Sequence, residues 1–221
     1  MKTAAIIVAA GSGSRFNSDT PKQFLEINGK PVIVHTLERF QAAPSVDRIV
    51  LVLSEGQMGK VDSSLFPKLE SVVTGGSTRA ESVWNGLNAV GEEISIVAVH
   101  DGARPLVTVD EIERSIAKAK ETGAACLVAP VIDTIKSVRS GEIAATLDRD
   151  KLRRAVTPQV FKIEVLSKAF ETADLSGSVT DDCLLVEKLG YPIAIVEGSS
   201  RNIKITHPED LILAETLMKN V

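Results

Sequence analysis

The chain reads as an α/β protein, with a Rossmann-like, mostly parallel sheet, helices on both faces and a protruding β-hairpin arm. Three observations carry that reading. Apolar runs of strand length at 6–10, 49–53, 94–99 and 125–129, broken only by Ser95, lack polar alternation, as strands buried on both faces do. Segments with apolar residues at helical spacing separate them. The alternation breaks once, at 131–150, where two short strand-like runs flank a turn.

The elements follow in order. The first run ends in Gly11-Ser12-Gly13-Ser14-Arg15, with Pro21-Lys22-Gln23-Phe24 soon after. Asn28-Gly29 marks a tight hairpin, because that pair tolerates positive φ. Pro31 opens a helix whose stripe Ile33, Leu37, Phe40 faces the sheet and which ends before Pro44. After the strand at 49–53 and a shorter run at Val72-Val73 comes Gly75-Gly76, and Thr78 with Glu81 forms a capping box for a helix with core positions Val83, Leu87 and Val90.

The strand at 94–99 ends in His100-Asp101-Gly102-Ala103-Arg104. Thr108 and Glu111 form a second capping box, and Gly123 closes that helix. Past the arm, Arg153, Arg154 and 157–161 return the chain to the body, and a helix runs from about 162 to 173. Thr180 caps a helix with core positions Leu184, Leu185 and Leu189 that stops at Gly190, and 193–196 is a strand. Residues 202–206 alternate like an edge strand, and Thr206 with Glu209 makes a last capping box before the C-terminal helix.

Composition bounds the function. With 221 residues, 44% of them hydrophobic, the chain forms one domain, 1–221, the arm at 131–150 included. A net charge of −4 argues against nucleic acid as a partner. No run approaches the roughly 20 apolar residues of a membrane span, and no secretory leader precedes the first strand, so a cytoplasmic protein is expected. Cys126 and Cys183 read as two buried thiols, and no Cys/His cluster has zinc-ligand spacing.

The loop after the first strand is an anion cradle in outline. Gly11 and Gly13 let backbone N–H groups approach a ligand, and Arg15 and Lys22 add two cations. It is neither a dinucleotide fingerprint, where Phe16 would have to be glycine, nor a P-loop, which needs Gly-Lys-Ser/Thr. The loop alone fits a solvated turn equally well, so the rest of the chain must decide. Gly75-Gly76 repeats the pattern at a second strand end, and Ser82 beyond it can reach a base or ribose. Asp101 follows a buried strand, where an unpaired charge is costly, and a carboxylate there can either pair with Arg104 or hold Mg²⁺ against phosphates. His100 is assigned to structure. A lone two-stranded arm is marginal in water, so it should pack on something, a second copy of the chain being the natural candidate and a hairpin folded back on its own subunit the alternative.

Together these stretches resemble the 2-C-methyl-D-erythritol 4-phosphate cytidylyltransferases. The resemblance spans the chain and rests on Ala9-Ala10-Gly11-x-Gly13-x-Arg15, Pro21-Lys22-Gln23, Gly75-Gly76-x-x-Arg79-x-x-Ser82-Val83, Asp101-Gly102-Ala103-Arg104-Pro105, Asp133-Thr134-Ile135-Lys136, Thr157-Pro158-Gln159, Thr180-Asp181 and Asn202-Ile203-Lys204. It implies that Ala9, Ala10, Gly11 and Gly13, with Gly76 and Ser82, bind CTP. Arg15 and Lys22 would grip the triphosphate and stabilise the transition state, and Asp101 would hold Mg²⁺ while approaching the acceptor, a polyol phosphate. Arg104, Thr134, Thr157 and Thr180 would bind the acceptor. Lys204 and Arg149 would act with Arg15 and Lys22 in catalysis, Thr134 and Arg149 reaching a neighbour's site from a crossing arm, so that the active unit is a homodimer. The chain departs from the pattern at Ser77, often acidic, and Ser14, often basic. A ribitol 5-phosphate cytidylyltransferase is the nearest rival, and a non-catalytic nucleotide-binding module a more distant one.

Overall fold

The computed structural model describes residues 1–11, 16, 20–174 and 179–219. Its main sheet has seven strands, in chain order β1 (Lys2–Val8), β4 (Arg48–Leu53), β5 (Leu69–Thr74), β6 (Ile94–Asp101), β7 (Ala124–Pro130), β10 (Arg153–Lys162) and β11 (Ala194–Glu197). Outside it lie the hairpin β2 (Glu26–Ile27) and β3 (Lys30–Pro31) and the arm β8 (Lys136–Arg139) and β9 (Glu142–Thr146). The spatial order across the main sheet is β11-β7-β10-β6-β1-β4-β5. All its neighbours pair in parallel except β10, which is antiparallel to both β6 and β7.

The apolar runs are continuous because successive side chains of one strand face two different cores. Ala5, Ile7, Leu51 and Ala98 point to one, where α1 (Val32–Ala42) brings Ile33, Leu37 and Phe40 and α3 (Val109–Thr122) brings Ile112 and Ile116. Ala4, Ile6, Val52, Val97 and Val99 point to the other, against α2 (Arg79–Asn88), α4 (Ile163–Thr172) and α5 (Asp182–Lys188). A third cluster joins α6 (Pro208–Lys219) to Ile27, Val32, Ala103 and Ile205. Among the described residues no helix is long and apolar enough to cross a membrane.

The hairpin at Asn28-Gly29 forms, both residues having positive φ (50° and 73°). The box at Thr108 and Glu111 closes fully, and Gly123 ends α3 at φ 90°. Four expectations need correction. Residues 153–162 form a central strand, not a mere return segment; Pro158 is tolerated because the β10–β7 register shifts between Ala155 and Gln159, where its missing N–H breaks no ladder bond. Residues 202–206 form no strand and do not alternate in burial, Asn202 and Ile205 being the buried positions; they cross the end of the sheet, and among the described residues only Ile205 N bonds to a neighbouring segment's backbone, at Ala103 O (2.8 Å).

The other two corrections concern caps. α5 is capped by Asp181, whose carboxylate accepts from Leu184 N, rather than by Thr180. At α6, Asp210 accepts from Thr206 N and His207 N, so Glu209 is not the closing residue. At α2 Thr78 accepts from Glu81 N as expected, while the Glu81 carboxylate accepts from the backbone and hydroxyl of Ser77. At α5 and α6 a neighbouring carboxylate reached the exposed N–H groups more directly.

The arm is a separate two-stranded sheet. Ile132, Val138 and Ile143 on it are 71%, 65% and 68% exposed, three large apolar side chains within twelve residues.

Helix α2 approaches the sheet through Gly86, where an added Cβ would lie 2.5 Å from Ile6 Cγ2 and 2.9 Å from Val52 Cγ2. Alanine in place of a helical glycine gains about 1 kcal/mol. Overpacking a β-branched core costs about 1–3 kcal/mol. Gly86→Ala is therefore expected to lower stability by about 1 kcal/mol in urea unfolding, as the balance of those two effects. A stabilised variant would show that α2 does not sit this close.

Candidate active site

The carboxyl ends of β1 and β6 and the start of α2 converge on one cavity of about 170 Å³, lined by Ala9, Ala10, Gly11, Lys22, Gly76, Ser82, Asp101 and Lys204 among others. Close backbone approach builds it. A Cβ on Gly75 would collide with Ala10 Cβ, so the second glycine loop lies directly on the first. Gly102 is as tightly placed, an added Cβ lying 2.8 Å from both Ala9 Cβ and Ile33 Cδ1. Around Gly11 no described protein atom lies within 4 Å of an added Cβ, so that stretch opens onto the cavity.

Side chains hold the loops from beneath. Gln23, almost fully buried, donates to Ala9 O (2.7 Å), Gly11 O (3.3 Å) and Gln57 Oε1 (2.7 Å), which fixes the chain just after β1. Ser82 donates to Thr78 O (2.9 Å) and accepts from Gly76 N (3.1 Å), so its hydroxyl shapes the second loop at the cavity wall. Gly13 and Arg15, both expected at the site from the sequence motif, lie outside the described residues. Lys22 Nζ donates to Ile205 O (2.7 Å).

A second cavity of about 100 Å³ abuts the first and is lined by Arg104, Thr157, Gln159, Thr180 and Asp181, sharing Arg79, Asp101 and Lys204 with it. Arg104, Thr157 and Thr180, expected around the acceptor, thus meet here. Thr134 and Arg149 line neither cavity; both are exposed on the arm, and Arg149 donates to Ile132 O (2.7 Å).

Asp101 stands where the two cavities meet. Its Oδ1 accepts from Arg79 Nε (3.0 Å), and its Oδ2 faces Arg104 Nε (3.2 Å) and Lys204 Nζ (2.9 Å). Burial pushes this carboxyl upward, but Arg79, Lys204 and Arg104 outweigh burial and hold it well below the usual carboxylate range. Asp101 therefore does pair with Arg104, and it also faces the two cavities.

Sequence reasoning assigned no role to three buried polar groups around this carboxylate and to the half-buried Arg79. Arg79, Asp182, Gln159 and Asn202 all bond within it: Asp182 accepts from both terminal nitrogens of Arg79, and Asn202 donates to Thr157 O (2.9 Å) while its own backbone carbonyl accepts from Arg104 (2.9 Å). The available signal was a polar residue inside an apolar context, as Gln159 is before Val160-Phe161.

His100 is fully buried under the site. The Arg104 carbonyl can only accept, so Nε2 carries hydrogen toward it (3.2 Å), and Nδ1 accepts from the Thr157 hydroxyl (2.9 Å), which in turn accepts from Asp101 N (3.1 Å). Burial lowers the His100 pKa to about 3, against the opposing pull of Asp101.

The family model described as 2-C-methyl-D-erythritol 4-phosphate cytidylyltransferase matches residues 3–220. The enzyme of that name from Alkaliphilus oremlandii is 43% identical, over 99% of this chain and 95% of its own. Among solved structures, the 2-C-methyl-D-erythritol 4-phosphate cytidylyltransferase from Thermus thermophilus is 34% identical with a TM-score of 0.82, covering 99% of this chain and 100% of that one. The 4-diphosphocytidyl-2C-methyl-D-erythritol synthase from Anaerococcus prevotii is 28% identical with a TM-score of 0.85, covering 99% and 96%.

A buried neutral histidine makes stability pH-dependent with a defined sign. The folded pKa lies below the unfolded value, so the contribution is complete above about pH 6.5 and is lost as pH falls toward 3, because only the unfolded chain takes up the proton. Between pH 7 and 5 this amounts to about 2 kcal/mol. His100→Gln should unfold with a visibly flatter pH dependence over that range. Equal slopes for variant and parent would contradict the buried, neutral ring.

Proposed function

The chain belongs to the 2-C-methyl-D-erythritol 4-phosphate cytidylyltransferase family, and from that premise we propose how its residues divide the reaction. The enzyme transfers CMP from CTP to 2-C-methyl-D-erythritol 4-phosphate and releases diphosphate; the relatives carry this activity in their names, which favours it over ribitol 5-phosphate as acceptor. The observation that carries the residue assignment is the pair of abutting cavities with Asp101, Arg79 and Lys204 common to both.

CTP occupies the larger cavity. Its base and ribose lie against the backbone of Ala9, Ala10 and Gly11 and the loop of Gly76 and Ser82, and its triphosphate extends toward Gly13, Arg15 and Lys22. The acceptor occupies the smaller cavity beside Arg104, Thr157 and Thr180. Its phosphate oxygen attacks the α-phosphorus of CTP, a new P–O bond forms, and the bond to the β-phosphate oxygen breaks as diphosphate leaves. A phosphate monoester is nucleophilic as it stands, so no general base is required. What the reaction requires is charge: two anions must approach, and negative charge develops on the α-phosphate.

Lys22, Arg15 and Lys204 supply it. Lys22 and Lys204 have their ammonium groups on Ile205 O and Asp101, both at cavity walls, and exchange those contacts for phosphate oxygens when substrates enter. Magnesium fits in one way. Among the described residues no three His, Cys, Asp or Glu come together as a metal cluster, so Asp101 would share the ion with substrate phosphates, a sparse donor set that magnesium accepts. The half-exposed Lys204 on Oδ2 is the contact that would yield to it. When bound, the ion neutralises phosphate charge at the reacting centre.

The arm completes the site of a second copy. Support comes from its exposed Ile132, Val138 and Ile143, and from Thr134 and Arg149 lying away from this chain's own cavities. Arg149 and Thr134 then serve the partner's acceptor phosphate. The buried free thiols Cys126 and Cys183 support a reducing, cytoplasmic setting.

Diphosphate release should be fast with CTP and methylerythritol phosphate, slow with ribitol phosphate and lost without a divalent ion; equal rates with both acceptors would remove the acceptor assignment. Lys22→Ala or Arg15→Ala should lower kcat by roughly 10²-fold, the usual cost of one charge-stabilising donor. Near-normal turnover in either would remove that residue from the scheme. Mixing inactive Arg149→Ala and Lys22→Ala chains should restore activity through hybrid dimers, and no recovery despite proven subunit exchange would argue against a crossing arm.

A further inference from the structure

We propose that Asp182 is a positioning residue for the reaction: it grips the guanidinium of Arg79 so that Arg79 steadies Asp101 instead of turning to the incoming phosphates. The inference rests on the reading of Asp101 as a group at the reacting centre.

Asp182 has no solvent exposure, and both its oxygens accept from Arg79, Oδ1 from Nη1 (3.1 Å) and Oδ2 from Nη2 (2.9 Å). Nε of the same guanidinium donates to Asp101 Oδ1 (3.0 Å). Arg79 therefore bridges two carboxylates, with its fork on the remote one and its single N–H on the one facing substrate. Burial works against the charge on Arg79, yet Asp182 and Asp101 together hold its pKa above the ordinary value.

The remote carboxylate is itself rigidly placed. Gln159 on the central strand β10 accepts from Asp182 N and Cys183 N (both 3.0 Å) and donates to the Asp181 carboxylate (2.8 Å). A sheet residue thus sets the first turn of α5, and α5 sets Arg79.

The restraint has a functional logic. Arg79 opens α2 directly after the glycine loop and lines both cavities. A free arginine in that place would bind phosphate bidentately, more tightly than a lysine at the mouth can. Such a contact would strengthen ground-state binding of the triphosphate without helping the transition state. With the fork occupied by Asp182, Oδ1 of Asp101 is locked, and Oδ2, faced by Arg104 and the half-exposed Lys204, is the oxygen left to exchange partners. Stability alone explains the pair poorly, because a buried ion pair is often no better than an apolar replacement.

The test uses the full chain and measures kcat beside the Kd of CTP by calorimetry without acceptor. Asp182→Asn should lower kcat by roughly tenfold or more, as misplacement of a reacting group does, while the Kd of CTP stays equal or falls. In an Arg79→Gln background, Asp182→Asn should change kcat by no more than about twofold, since the partner through which it acts is gone. Near-normal kcat, parallel loss of kcat and CTP affinity, or multiplying losses in the double variant would each overturn the role. If Asp182→Asn alone does not fold, the comparison of Arg79→Gln with the double variant decides, because the latter leaves no buried charge unpaired within the pair. Asp101→Asn run alongside separates the two readings: if it stays active the Asp101 assignment fails, and if it is inactive while Asp182→Asn is fully active only the positioning role fails.

Discussion

A carboxylate at the end of a buried strand is the constraint on which the site depends. Asp101 is placed there by β6, and a lone charge in that position would be too costly to keep, so its surroundings are built to compensate it: Arg79 from α2, Arg104 from the turn after β6, and Lys204 from the segment that crosses the sheet. Each arrives from a different part of the chain. The need to neutralise one buried charge therefore ties together the two abutting cavities, and the same cations make the region attractive to further anions.

Much of this is legible in the residues. Apolar runs buried on two faces, glycine at strand ends and the helical stripes of α1 and α2 are local signals, and local signals survive without tertiary context. The site residues quoted from motifs also meet as expected, Ala9 to Gly11 with Gly76 in one cavity and Arg104, Thr157 and Thr180 in the next.

What is illegible has a common cause, that a non-local partner decides the outcome. β10 is hidden because Pro158 forbids an ordinary central strand, and only the register shift against β7 reveals how it is accommodated. Residues 202–206 have the sequence alternation of a strand, but they lie against the turn after β6, where Ile205 N meets Ala103 O, and join no sheet. Asp181 and Asp210 displace the expected caps because carboxylates one or a few positions along reach the same N–H groups. Asp182 looks from sequence like any first-turn acid of a helix, favourable beside the dipole. Its partner Arg79 lies 103 positions away, and no spacing rule connects them.

The one antiparallel strand has a consequence for assembly. Since β7 runs with β6, the arm leaves the sheet after Pro130 at the rim that carries the two cavities, and because β10 runs the other way the chain re-enters at that same rim, Arg153 opposite Pro130. If two copies pair through the arm as proposed, their contact and the chemistry share a single border of the molecule, opposite the border where β1 and β6 begin. In the proposed dimer such a layout yokes the evolution of the association surface to that of acceptor choice: a drift in how two copies clasp each other would also shift what surrounds the substrate.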